Sequence, residues 1–206
     1  MASDLEDQKL EISAQEALQK LIQGNERFVR GEARLSAACK ESLADLVKGQ
    51  SPFATILGCS DSRVPPELIF DAGFGDLFII RVAGNVMSQE VRGSMQYAAA
   101  HLRTPLFIIL GHEGCGAVQA ALQFWRDGQE QRPYIQTLVE NIAAGLAENG
   151  NLSANALLAE AVRANVQWVV KQILGTPGWQ NATAAGMQLL GAIYHIQSGT
   201  VEFLNP

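Results

Sequence analysis

Three short stretches in the middle of the chain are almost continuously apolar: Phe53-Ala-Thr-Ile-Leu-Gly58, Asp76-Leu-Phe-Ile-Ile-Arg-Val82 and Pro105-Leu-Phe-Ile-Ile-Leu-Gly111. Their length suits strands, and the lack of polar alternation suits strands covered on both faces of a parallel sheet. Met187–Tyr194 and Val201–Leu204 read as two more strands, joined by a tight turn at Ser198-Gly199. Between these runs the apolar spacing becomes helical, over Gln89–His101, Gly116–Arg126, Pro133–Ala147 and Leu157–Leu174. Ser13–Val29 is also predicted as a helix. Ser13-Ala-Gln-Glu16 fits a capping box, Ala17, Leu18, Leu21, Ile22 and Phe28 fall largely on one face, and Gly31 ends it. It precedes the first strand by about 20 residues, so the expectation is an arm that packs on something other than this sheet, such as a second subunit. Strands alternating with helices predict an α/β sheet with right-handed crossovers. The expected organisation is one domain over 1–206, with an N-terminal helical arm at 1–50 and an α/β core at 51–206.

Composition narrows the function classes. The chain has 206 residues, 48% of them hydrophobic and 17% charged, enough for a sizeable core. A formal charge of −6 lacks the basic footprint of a nucleic-acid binder. No apolar run approaches the roughly 20 residues that cross a bilayer, so no membrane partner is expected. Met1–Asp7 is acidic and leads into no apolar stretch, which makes the cytoplasm the expected location. Three cysteines are a poor disulfide framework, and in a reducing compartment cysteines near a histidine suit ligands or catalysts.

The chemistry concentrates in two turns. The first strand runs into Gly58-Cys59-Ser60-Asp61-Ser62-Arg63, and the third into Gly111-His112-Glu113-Gly114-Cys115-Gly116. Open parallel sheets bind ligands beyond the carboxyl ends of their strands, so the two turns can converge. Convergence would bring the sulfurs of Cys59 and Cys115 and the imidazole of His112 around one ion, a donor set that zinc favours. Three protein ligands leave a fourth tetrahedral position, which a catalytic site gives to water. Asp61 is the candidate for that position; alternatively the planar fork of Arg63 holds its carboxylate away. Cys39 has no partner motif and reads as a free thiol, while His101 and His195 read as non-catalytic. Trp125, Trp168 and Trp179 read as packing residues.

Cys59-Ser-Asp-Ser-Arg63 together with His112-x-x-Cys115 resembles the β-class carbonic anhydrases. The similarity extends to Pro65, Glu67, Gly75-Asp76-Leu77, Arg81, Ala83-Gly84-Asn85, Tyr97 and Gly191-Ala-Ile-Tyr194, and covers about residues 14–204. It implies four parallel strands with a fifth added antiparallel, one zinc ion per subunit, and a homodimer or dimer of dimers. It also implies reversible hydration of carbon dioxide to bicarbonate, with Asp61 and Arg63 acting as a gate. By the same resemblance Gln50, Phe78, Ala83 and Tyr97 line a substrate pocket at the subunit boundary, and the Gly116 amide faces the substrate. One departure is informative. Where some bacterial members place a Trp that binds regulatory bicarbonate with an Arg and a Tyr, this chain has Ile56, although Arg81 and Tyr194 match the other two. Competing expectations are a hydrolase of carbonyl sulfide or carbon disulfide on the same scaffold, and a non-catalytic zinc protein serving assembly. A thiol redox protein fits poorly because Cys-x-x-Cys is absent.

Overall fold

The structure, a computed structural model, is described for residues 12–34, 46–148 and 157–204. Cys39 and much of the expected 1–50 arm lie outside these residues. Five strands form one sheet in the order β2-β1-β3-β4-β5. They are β1 (Ala54–Gly58), β2 (Leu77–Arg81), β3 (Leu106–His112), β4 (Gln188–Tyr194) and β5 (Val201–Phe203). The first four are mutually parallel, and β5 pairs with β4 antiparallel. The expected mixed sheet is therefore what the chain forms.

Every residue of β1 and β3 is buried, which is why those runs carry no polar alternation. Thr55, the one polar residue inside β1, is satisfied by the buried Thr104 hydroxyl at 2.7 Å. The edge strands β2 and β5 are only half covered.

The helices are α1 (Ala14–Val29), α2 (Pro66–Ile69), α3 (Gln89–Tyr97), α4 (Gly116–Asp127), α5 (Pro133–Glu148), α6 (Leu158–Leu174) and α7 (Pro177–Ala184). Helix α6 packs on β3 and β4, and α4, α5 and α6 pack together. The approach is close: a Cβ on Gly111 would lie 2.5 Å from Val166 Cγ2. Two short helices, α2 and α7, were not expected. Both begin at proline, whose fixed φ suits a first helical turn, yet Pro65-Pro66 and Pro177-Gly178 read locally as turns. The stretch expected as one helix to His101 leaves the α form at Tyr97 and closes with a wider turn, Ala98–Leu102, ended by Arg103 at φ 55°. None of the described helices is long and apolar enough to cross a membrane.

Helix α1 corrects an expectation. Its capping box forms as expected, with Glu16 N donating to Ser13 Oγ at 3.2 Å. Rather than standing away from this sheet, α1 packs on its own chain, against α2 and β3. Ala14, Ala17, Leu21, Gly24 and Asn25 are buried by that contact. Gly24 sits against the Phe70 carbonyl so closely that a Cβ has no room. Asn25 decides the docking. Its Nδ2 donates to Ile69 O (3.1 Å) and Gly199 O (2.8 Å), and its Oδ1 accepts from Val201 N (2.9 Å). One amide thus ties α1 to α2 and caps the open side of β5. Asn25→Ala leaves those groups unpaired and is expected to lower unfolding stability by about 2–3 kcal/mol. Urea denaturation measures this, with exposed Gln23→Ala as a control expected to match the parent.

Candidate metal centre

The chain runs from β1 outward to β2, then crosses back over β1 to β3. The strand order therefore reverses between β1 and β3, the place where open α/β sheets leave a crevice at their carboxyl ends. Cys59 follows β1 directly, His112 is the last residue of β3, and Cys115 is the N-cap of α4. Between the last two, Gly114 reverses the chain at φ 64°, a conformation that glycine adopts without strain. His112 thus stands on the strand and Cys115 at the helix.

The ligating atoms of Cys59, His112 and Cys115 all lie within 4.8 Å of one another. All three residues are buried, with 5%, 1% and 2% of their surfaces exposed. The sulfurs are 4.0 Å apart, too far for a disulfide. Two sulfurs each about 2.3 Å from a tetrahedral ion would be about 3.8 Å apart, so the spacing fits zinc. His112 Nδ1 is 2.8 Å from Glu113 O; a carbonyl only accepts, so Nδ1 carries the proton. That leaves the Nε2 lone pair available, and Nε2 is buried without a hydrogen-bond partner. A buried orphan nitrogen beside two sulfurs is the arrangement a soft cation completes.

The electrostatics set the two thiols apart. A hydrogen bond with Cys115 pulls the Cys59 thiol down, against burial, with help from His112 and the Gly84 and Asp61 amides. The same bond, with burial, pushes Cys115 up, although the amides of Val118 and Ala117 at the start of α4 counter it. Burial pulls the His112 imidazole down, but the Cys59 sulfur, the Glu113 carbonyl and Asp61 together leave it raised.

Asp61 does not join this cluster. Arg63 grips it with Nε on Oδ1 at 2.9 Å and an Nη on Oδ2 at 2.7 Å, and the Arg63 backbone amide adds a third bond at 3.0 Å. The guanidinium first, and then the amide and His112, hold the carboxyl well below the usual carboxylate range. Asp61 Oδ2 nevertheless lies only 4.0 Å from His112 Nε2.

The residues expected around the substrate are placed unevenly. Phe78 on β2 and Tyr97 at the end of α3 bring their rings to 6.1 Å. Ala83 opens the turn that contains Gly84, whose amide donates to Cys59 Sγ at 3.3 Å. Gly116 is the first residue of α4, next to Cys115. Gln50 is exposed ahead of β1.

The carbonic anhydrase family profile matches residues 54–201. A carbonic anhydrase 2 of Mycobacterium tuberculosis is 46% identical over 127 residues. That match covers 62% of this chain and 61% of the relative, under two thirds of its length. The carbonic anhydrase of Mycolicibacterium smegmatis is 36% identical over 188 residues, 90% of this chain and 91% of its own. Among solved structures, the β-carbonic anhydrase CcaA aligns with a TM-score of 0.72 at 28% identity, covering 93% of this chain and 92% of that one.

The chain belongs to the β-class carbonic anhydrases.

As a β-class carbonic anhydrase chain it shows features that its sequence did not announce. Arg81, at the end of β2, donates to Cys59 O (2.9 Å) and Asp61 O (2.6 Å), and so holds the loop that carries both residues. An arginine ending an otherwise apolar strand was the available signal. Glu113 and Glu202 both reach His195, at 2.8 and 3.5 Å, and Arg163 pairs with Glu202 at 2.7 Å. These four residues lie just past β3, just past β4, on β5 and on α6, and only the fold brings them together. Ile56 is fully buried in β1, packed as a core residue.

Proposed function

We propose that this chain catalyses the reversible hydration of carbon dioxide to bicarbonate at one zinc ion held by Cys59, His112 and Cys115. The observation that carries this reading is the pairing of a buried two-sulfur, one-imidazole cluster with an Asp61 carboxylate held off it by Arg63. A purely structural zinc has no use for such a latch, since its fourth position is filled by another side chain. Bound there, zinc supplies Lewis acidity that lowers the pKa of water from about 15.7 towards 7.

The protein's own groups do the rest. Arg63 occupies Asp61 from one side, so the carboxylate stays off the fourth position while Oδ2 still faces the site. Oδ2 can then accept a hydrogen bond from the attacking water and turn an oxygen lone pair towards carbon dioxide. In this reading Phe78, Ala83 and Tyr97 supply an apolar wall at the subunit boundary, suited to a nonpolar linear substrate. The free first-turn amide of Gly116, at the N-terminus of a 12-residue helix, favours the negative charge that develops as bicarbonate forms.

A second copy of the chain completes this site in our reading. Leu77, Phe78, Ile79 and Ile80 on edge strand β2 are only half covered, Tyr97 is 47% exposed, and Gln50 is exposed. A homodimer, or a dimer of dimers, covers them.

Stopped-flow hydration of carbon dioxide, with and without a chelator, tests the assignment. The expected result is turnover that the chelator abolishes and added zinc restores, with about one zinc per chain by elemental analysis. Turnover indifferent to chelation would overturn it. Release of hydrogen sulfide from carbonyl sulfide that outruns carbon dioxide hydration would move the substrate assignment to that heterocumulene.

A further inference from the structure

Asn165 is buried in the middle of α6, 1% exposed, among Ala161, Val162, Ala164, Val166 and Val169. An amide there is costly unless it is satisfied, and this one is satisfied on one side only. Its Nδ2 donates to Gly84 O at 2.9 Å, while Oδ1 has no partner. A hydrophobic residue would suit the surroundings better, so the single bond it makes calls for a reason.

The reason lies at the other end of the turn. Gly84 stands at φ 69° and the buried, non-glycine Asn85 at φ 44°, two consecutive left-handed residues. Such backbone persists only where neighbours over-determine it. Strands β1 and β3 and helices α4 and α5 all pack on this turn. Asn85 N donates to Val82 O at 2.9 Å, and the space a Gly84 side chain would need is taken by Ile142 and Ala117. Asn165 adds a side-chain hold, on the Gly84 carbonyl. With the Gly84 carbonyl anchored, its amide points at Cys59 Sγ, 3.3 Å away.

Resting on the zinc reading above, we propose that Asn165 is a positioning residue. Through Gly84 it aims one amide at the Cys59 sulfur, and so sets how strongly that thiolate donates charge to the metal. Partners behind the ligands of metal sites act in this way, and losing one typically costs about 10- to 100-fold in metal affinity.

Asn165→Leu, close in volume, and Asn165→Ala, should both fold in the full-length chain, and either suffices for the test. Each is loaded with cobalt(II), and the sulfur-to-cobalt charge-transfer band is recorded beside the parent's. Losing the amide raises the energy of the sulfur lone pair, so the band is expected to move to longer wavelength. A thiolate without that amide also holds its proton more firmly and is less well placed, so competition with a chelator near neutral pH is expected to show zinc held about 10- to 100-fold more weakly. A folded variant with an unmoved band and unchanged zinc affinity would overturn the proposal, even if its melting temperature fell, because Asn165 would then serve packing alone. If the parent itself takes up no cobalt or zinc, the metal reading and this inference fail together. A normal parent band with no difference in the variants defeats only the inference.

Discussion

Arg63→Ala is expected to keep its zinc and lose hydration activity by about 10²- to 10³-fold. The guanidinium is the partner that engages both Asp61 oxygens at once, through bonds of 2.9 and 2.7 Å. Without it, the Arg63 backbone amide still holds Oδ1, but Oδ2 is released 4.0 Å from His112 Nε2. A free carboxylate that near an open coordination position can fill it and shut out water. Global unfolding does not explain such a loss, because the Arg63 side chain is 54% exposed and exposed ion pairs contribute only about 0–1 kcal/mol. Stopped-flow turnover and elemental analysis on the same sample check the prediction. Turnover near the parent value would sink the latch.

Cys115→Ser should have the larger effect, with zinc absent from the purified protein and activity down by more than about 10³-fold. A serine hydroxyl stays protonated near neutral pH and offers zinc no anionic donor comparable to a thiolate. It also removes the N-cap sulfur that the Ala117 and Val118 amides face at the start of α4. The change is close to isosteric at a residue 2% exposed, so the metal-free chain should fold much as before. Elemental analysis showing one zinc per chain would remove Cys115 from the ligand set. The two variants separate the roles: one is expected to bind metal without turnover, the other to bind none.

Much of this architecture was legible residue by residue. Phe53–Gly58 and Pro105–Gly111 announced buried parallel strands, because a strand covered on both faces has no use for polar alternation. The capping box at Ser13 and Glu16 located the start of α1 to the residue. The failures share a cause. Pro66 and Pro177 begin helices, but local preference does not separate a proline-led helix from a proline turn unless one knows what it packs against. Helix α1 was expected to reach elsewhere, since its apolar face names no partner. Asn25, an unremarkable polar residue in the sequence, docks it onto α2 and the edge of β5.

The candidate site divides along the same line. Which atoms can bind a soft cation follows from residue type, and strand ends followed by cysteine or histidine told where to look. The sequence by itself thus determined the candidate donors at Cys59, His112 and Cys115, the Asp61 and Arg63 pair, and the sheet that carries them. Tertiary structure alone decided the free Nε2 tautomer of His112, the Arg81 bonds that hold the Cys59 loop, and the reach of Asn165 to Gly84. Local chemistry is written in side chains two or three residues apart. Orientation depends on hydrogen bonds between residues far apart in the chain, and those exist only once the sheet and its helices have closed around them.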